Sequence, residues 1–127
     1  MIVLDASCAL KIILKQGPTA LAQRVLGGEL HAPYLLDIEV LSGLRRLIRQ
    51  KELDVERATV GLNWLFDLGI ERHHSEVIAW RAFALRDSLS AYDAAYVAVA
   101  EFLDAPLLTA DGRLSRTHGH HARIELI

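Results

Sequence analysis

Short apolar runs alternate with longer segments of helical periodicity along the whole chain, and this alternation constrains the fold more than any other feature. The first run is residues 2–4, and apolar residues then recur at helical spacing through residue 14. Weaker or later runs lie at 30–32, 68–71, 106–108 and 123–126. Such a pattern predicts an α/β fold in which helices cover both faces of a short parallel sheet. At 127 residues, we expect one domain spanning residues 1–127.

The helices between these runs are predicted from periodicity and from residues that commonly begin or end a helix. Asp54, Ser75 and Ser90 are suitable N-caps, and Gly17-Pro18 is a typical stop after the first helix. The segments on either side of Asp54 are expected to form a helical hairpin. The predicted helices cover residues 9–14, 19–27, 40–51, 55–66, 76–85 and 91–102.

Four acidic residues lie where an apolar run gives way to a predicted helix start: Asp5, Glu39, Asp93 and Asp111. If the runs are neighbouring parallel strands, their carboxyl ends open onto one crevice, where the four carboxylates would converge. Carboxylates held close together repel one another unless a cation lies between them, and oxygen ligands at a watery cleft suit Mg²⁺ or Mn²⁺. The pattern therefore predicts a metal-dependent phosphodiester enzyme.

Each acid also has a local explanation that requires no ligand. Asp5 is a possible helix N-cap, Ser90 and Asp93 resemble a capping box, and Asp111-Gly112 is a common turn pair. Glu39 would interact favourably with the dipole in the first turn of its helix. These explanations account for the acids one at a time, whereas convergence on a metal accounts for all four together.

The overall composition limits the class of protein. A net charge of −2 argues against a general nucleic-acid coat, although eleven of the fourteen basic residues are arginine, which matches phosphate geometry well. The single cysteine, Cys8, excludes a disulfide within the chain and is expected in a reducing cytoplasm. No apolar run approaches the roughly 20 residues needed to cross a bilayer, and residues 1–4 are expected to be structural, not part of a secretory signal.

Four segments carry a resemblance to a known family. They are Val3-Leu4-Asp5-Ala6-Ser7, Leu36-Asp37-Ile38-Glu39-Val40-Leu41, Leu89-Ser90-Ala91-Tyr92-Asp93-Ala94-Ala95-Tyr96 and Leu108-Thr109-Ala110-Asp111. In this order, and over nearly the whole chain, they resemble PIN-domain nucleases, in particular the VapC-type toxins of toxin–antitoxin pairs. The resemblance implies that Asp5, Glu39, Asp93 and Asp111 are the catalytic, metal-binding acids of an endoribonuclease that uses one or two Mg²⁺ or Mn²⁺ ions.

Residues near the acids are candidates for binding the RNA substrate. Arg46 lies seven positions beyond Glu39 and so faces nearly the same way, roughly 10 Å further along the helix. Arg46 could instead belong to a solvated helix face, and Arg86 and Arg113, which flank the two later acidic motifs, are equally plausible contacts. Ser7 and Thr109 could hydrogen-bond a carboxylate or a phosphate, or act only as local caps.

The resemblance further implies a VapB-type antitoxin partner, homodimers and toxin–antitoxin hetero-oligomers. Three alternatives stay open: a non-catalytic PIN-like module, a housekeeping RNA-processing nuclease, and a phosphate-accepting receiver domain. The receiver is disfavoured because Asp5 is followed by Ala6-Ser7 and no lysine follows Lys51. Among the six histidines, those at 118–121 are interpreted as a surface loop and His73-His74 as a strand end, not as metal ligands.

Overall fold

The computed structural model describes residues 1–14 and 19–127, and its five strands form one parallel sheet. The strand order is β3-β2-β1-β4-β5, so the first strand is central. This confirms the predicted α/β fold with a short parallel sheet. The strands are β1 (Ile2–Leu4), β2 (Leu30–Pro33), β3 (Glu71–His73), β4 (Leu107–Thr109) and β5 (Ile124–Leu126).

Three predicted N-caps each begin a helix in the structure. The side chains of Asp54, Ser75 and Ser90 each accept a hydrogen bond from a backbone N–H of the first turn, which satisfies a donor that the helix itself leaves free. The six α-helices in the described part of the chain are α1 (Ala6–Ile13), α2 (Thr19–Leu26), α3 (Leu35–Arg49), α4 (Val55–Asp67), α5 (Glu76–Ala84) and α6 (Ala91–Leu103). A 3-10 turn follows at Leu114–Arg116.

The helices pack in two groups that cover the two faces of the sheet. Helix α6 packs on α5 and lies along β1, β2 and β4, while α1 packs on α3 and α4. Two glycines allow the second group to approach closely. A Cβ on Gly43 would meet the Leu10 side chain at 2.3 Å, and one on Gly61 would meet the Ile13 side chain at 2.4 Å. The predicted contact between α3 and α4 is confirmed.

Several element boundaries differ from the sequence prediction, and two of the differences have an identifiable cause. The third strand is Glu71–His73, not 68–71, because it is an edge strand placed by pairing with β2, and its half-exposed residues give no apolar pattern. Helix α3 begins at Leu35, so the prediction of a helix start near Glu39 was wrong, and Glu39 lies in the second turn. Tyr34 precedes this helix without a side-chain cap, so no capping signal marks its start. The predicted stop at Gly17-Pro18 lies outside the described residues.

The strand order places a topological switch point between β1 and β4. The chain runs outward from β1 through β2 to β3, then crosses back to β4 on the other side of β1. In open parallel sheets, ligands bind at the carboxyl ends of strands beside such a point. Asp5 directly follows β1, and Asp111 lies two residues beyond β4, so both lie in this crevice. No helix in the described ranges is long and apolar enough to span a membrane.

Candidate active site

Asp5 is the most enclosed of the four acids. It caps α1 through a hydrogen bond from the Ser7 backbone N–H, and its other carboxylate oxygen accepts a bond of 2.7 Å from the Thr109 hydroxyl. The side chain is nevertheless buried, and the cost of desolvating its charge raises the pKa of Asp5 above its ordinary value despite these hydrogen bonds. An opposing positive charge would relieve that cost, so the position suits a cation ligand.

Two hydroxyl groups join the end of β1 to the end of β4. Ser7 Oγ lies 3.3 Å from Thr109 Oγ1 and accepts a hydrogen bond of 2.9 Å from the Ala110 backbone N–H. Thr109 Oγ1 also accepts a bond of 3.0 Å from the Asp111 backbone N–H. The Thr109 side chain is fully buried. Its hydroxyl contacts the carboxylate of Asp5, and a carboxylate was one of the two partners predicted for it. The network fixes Asp5 and Asp111 relative to each other.

Glu39 enters the site from the second turn of α3. Its Oε1 atom is buried and has no hydrogen-bond partner within the described part of the chain. Burial raises the pKa of Glu39 above its usual range, and the charges of Asp5 and Asp93 raise it further. Burial, followed by the charge of Glu39, likewise raises the pKa of Tyr96. An orphaned carboxylate oxygen beside two other acids indicates a place for a positive charge.

Asp93 and Asp111 share one basic side chain. Nη2 of Arg113 lies 2.8 Å from Asp93 Oδ2 and 3.1 Å from Asp111 Oδ2. The guanidinium thereby ties the first turn of α6 to the loop after β4. The backbone of Arg113 is also held at the site, because its N–H donates a hydrogen bond of 2.8 Å to Asp111 Oδ1. Glu39 lines one cleft with Ser7 and Ala110, which neighbour Asp5 and Asp111, so the four acids form one cluster.

The route by which the acids converge differs in part from the prediction. Only Asp5 and Asp111 follow strands, whereas Glu39 and Asp93 project from helices α3 and α6. Among the described residues, no three of these acids place ligand oxygens within 4.8 Å of one another. Acids this far apart can hold one ion if some of them bind it through water molecules, and Mg²⁺ characteristically retains several waters. The all-oxygen donor set and the orphaned Glu39 oxygen therefore fit a hard divalent cation.

A cleft of about 440 Å³ opens beside the cluster. Glu39 and Arg46 line it from α3, and Ser7 and Lys11 line it from α1. The cleft thus confirms that Arg46 shares a face with Glu39. Lys11 was not among the predicted residues, although its spacing of four residues from Ser7 on one helix face was a signal that could have found it.

The comparison with family models decides how this cluster is classified. The model of the PIN domain matches residues 2–119. The chain belongs to the PIN-domain family. The match covers all four acids of the cluster, and it excludes the receiver alternative. Divalent metal dependence is general for PIN-domain nucleases.

Curated relatives place this PIN domain among the VapC ribonucleases. Ribonuclease VapC12 of Mycobacterium tuberculosis is 43% identical, and the alignment covers 100% of this chain and 99% of the relative. VapC ribonuclease Mb0985 of Mycobacterium bovis is 42% identical over 92% of this chain and 91% of its own length. Among solved structures, VapBC2 of Rickettsia felis bound to a promoter DNA fragment aligns with a TM-score of 0.73 at 16% identity, covering 100% and 99% of the two chains. That likeness supports the PIN fold.

The remaining predicted substrate contact, Arg86, lies in the turn between α5 and α6. Its guanidinium donates to the Phe83 carbonyl at 3.2 Å and stacks over the Phe83 ring at 4.6 Å. Neither contact joins it to the acidic cluster of the PIN domain. The segment 118–121 is an irregular loop, as predicted. His73 ends β3, also as predicted, but it lies in a group with His31 and Glu71 that was not predicted.

Proposed function

We propose that this protein is a metal-dependent endoribonuclease, with its nuclease domain spanning residues 1–127, and that it acts in the cytoplasm as the toxin of a VapBC pair. The observation that carries the proposal is the cluster of Asp5, Glu39, Asp93 and Asp111 at the switch point of a PIN domain. The reaction is hydrolysis of an RNA phosphodiester bond with Mg²⁺ or Mn²⁺. Full-length identity of 43% to a protein named as a ribonuclease supports the substrate class.

The four acids are proposed to hold the metal and to position the attacking water. Asp5 and Asp93 are the proposed direct ligands, with Glu39 and Asp111 binding directly, through water, or acting on the attacking water. One or two bound ions would supply an activated water and stabilise charge on the leaving oxygen. The buried Thr109 hydroxyl donates to Asp5, and the half-buried Ser7 hydroxyl lies beside Thr109, so the two hydroxyls help to keep Asp5 in position. No side chain of the protein needs to act as a nucleophile.

The adjacent cleft is the proposed path of the RNA backbone. Arg46 and Lys11 contribute positive charge to a cleft that also contains Glu39. Phosphates bound by these side chains would place the next phosphodiester against the acids. Arg113 is a third proposed contact, because its side chain is 64% exposed and already lies at the cluster. Arg86 is proposed only as a contact for a more distant nucleotide.

An antitoxin of the VapB type is the proposed partner. An apolar groove of about 480 Å³ lies between α1 and α4 and is lined by Ile12, Ile13, Val60 and Trp64 among others. Ile12 of the groove and Lys11 of the RNA cleft both lie on α1, so the groove and the cleft share this helix. Solved relatives include a toxin–antitoxin complex from Klebsiella pneumoniae with a TM-score of 0.60 at 17% identity. Homodimers and toxin–antitoxin hetero-oligomers are proposed by the same analogy.

The direct test is RNA cleavage by the purified chain in Mg²⁺, in Mn²⁺ and in EDTA. The Asp93→Asn variant keeps the size of the side chain and removes its charge, so cleavage should fall below detection while the circular dichroism spectrum is unchanged. Asp104→Asn is the matched control, because Asp104 ends the same helix and its side chain is 97% exposed. Metal-independent cleavage, or an Asp93→Asn variant with full activity, would overturn the assignment.

A second experiment separates a toxin from a housekeeping nuclease. Expression of the chain alone should arrest growth, and co-expression of its VapB-type antitoxin should relieve the arrest. The Asp93→Asn variant should be harmless at equal protein level. A chain that cleaves RNA in vitro yet does not affect growth would favour RNA processing, and a folded, metal-loaded chain that cleaves no RNA would favour a binding module.

A further inference from the structure

A second group of metal-ligating side chains lies at the edge of the sheet, outside the acidic cluster. His31 on β2 pairs in register with Glu71 on the edge strand β3, and His73 lies two residues further along β3. Side chains two residues apart on a strand point to the same face, so the three share one face of the sheet. Their ligand atoms all lie within 4.8 Å of one another, and they are the one such group of three or more in the described ranges.

The geometry around His31 is unusual for a structural core residue. Its side chain is only 3% exposed, and its Nδ1 atom lies 2.9 Å from His73 Nε2 and 3.6 Å from Glu71 Oε2. Its other nitrogen, Nε2, is buried without a hydrogen-bond partner, and the nearest carboxylate oxygen, from Glu29, lies 3.4 Å away. A histidine that ligates a metal through one nitrogen commonly directs the other towards a carboxylate.

We propose that His31, Glu71 and His73 bind a zinc ion, with Glu29 orienting the His31 ring. Zinc takes nitrogen ligands at about 2.0–2.1 Å and carboxylate oxygens at about 2.0–2.2 Å, so tetrahedral ligand atoms lie roughly 3.3 Å apart. The observed separations of 2.9 Å and 3.6 Å bracket that value. Two imidazoles select Zn²⁺ or Co²⁺ over Mg²⁺, which prefers oxygen ligands.

The site is open to solvent on one side. The Glu71 side chain is 67% exposed, which gives an ion a path of entry and leaves the fourth position for water. The ion would fasten the edge strand β3 to β2. Strand β2 leads into α3, and the Tyr34 backbone N–H at this junction donates to the His73 carbonyl at 3.2 Å. The proposed role is therefore to stabilise the fold at this edge, and the site does not depend on the nuclease assignment.

Calorimetric titration with Zn²⁺ tests the site in the full chain carrying Asp5→Asn and Asp93→Asn, which weaken the competing acidic cluster. We expect one ion per chain and a higher melting temperature with Zn²⁺. His73→Gln should weaken binding by more than about tenfold, and Glu71→Gln should weaken it as well. Co²⁺ bound in place of Zn²⁺ should give visible absorption bands typical of tetrahedral coordination, and these should be absent in His73→Gln.

Matched controls keep the experiment decisive. His74→Gln changes the neighbouring exposed histidine, and His121→Gln changes the histidine-rich loop, so both should leave Zn²⁺ affinity unchanged. His31 is not substituted, because its burial makes misfolding a competing cause of lost binding. If the chain does not bind Zn²⁺, or binds it equally well in His73→Gln and Glu71→Gln, the two histidines form only a hydrogen-bonded pair and the proposal is wrong. Loss of binding in His121→Gln would place the ion in the loop instead.

Discussion

Arg113 reaches across the site to Asp93, with 2.8 Å between guanidinium Nη2 and carboxylate Oδ2. The same nitrogen lies 3.1 Å from Asp111. A side-chain cation therefore neutralises part of the charge of the acids that we propose as metal ligands. Since the guanidinium is exposed on its outer side, it can leave the acids without exposing a buried surface.

Replacement of Arg113 by methionine should tighten Mn²⁺ binding, because the ion would no longer compete with a guanidinium for Asp93 and Asp111. An ion pair this exposed should oppose Mn²⁺ binding only modestly, so we expect a gain of about two- to fivefold in Mn²⁺ affinity by calorimetric titration. Arg116→Met alters an exposed arginine in the same loop and should not change the affinity. Weaker Mn²⁺ binding in Arg113→Met would mean that the guanidinium holds the acids in place instead of competing for them.

Glu39→Gln should stabilise the metal-free protein at pH 7. The pKa of Glu39 is raised by burial and by its acidic neighbours, so the folded state holds this proton more tightly than the unfolded state does. Stability is therefore lost as pH rises from 4.5 through the raised folded value, so ionisation of Glu39 in the folded state carries a cost in stability. The neutral amide removes that cost, and we expect a melting temperature in EDTA that is higher by a few degrees.

Two controls accompany the Glu39 measurement. Glu52→Gln changes an exposed carboxylate and should have little effect on the melting temperature. At pH 4, where Glu39 is protonated in the folded protein, the advantage of Glu39→Gln should shrink. A variant that melts below the parent chain at pH 7 in EDTA would show that the Glu39 carboxylate stabilises the metal-free fold.

The ion pair between Arg72 and Asp37 should contribute more to stability than the pair between Arg24 and Glu125. Arg72 forms two bonds of 2.8 Å to Asp37 and joins β3 to α3, with side-chain exposures of 21% and 29%. The Arg24 pair is more exposed, at 42% and 43%. We expect urea denaturation to give a loss of about 2–3 kcal/mol for Arg72→Ala and about 0–1 kcal/mol for Arg24→Ala. Equal losses would contradict this ranking.

The Cys8 thiol should be protected from alkylation in the native protein. It is fully buried in α1, and burial together with the nearby charge of Asp5 raises its pKa to about 12. Since the thiolate is the reactive form, native chain at pH 8 should react with iodoacetamide far more slowly than chain unfolded in urea. Mass spectrometry of the alkylated chain measures both rates, and rapid modification of the native form would show that α1 opens readily.

The sequence predicted the start of a helix correctly where a single capping residue determines it. Asp54, Ser75 and Ser90 cap helices as predicted, because an N-cap depends only on a side chain and the backbone of the next turn. The start of α3 was predicted wrongly because Tyr34 supplies no side-chain cap, so no single residue marks it. The edge strand β3 was misplaced because its partner, not its own residues, determines where it pairs.

The sequence by itself determined the alternation of strands and helices, the parallel sheet and the four acids whose spacing suggests one site. Those features depend on short-range periodicity and on residue type, which can be read along the chain. The tertiary structure alone decided the strand order, the contact of Arg113 with two acids, and the meeting of His31 with Glu71 and His73. Each of these joins residues from separate elements, and such contacts arise only when the packing of the helices and the pairing of the strands fix where the elements lie.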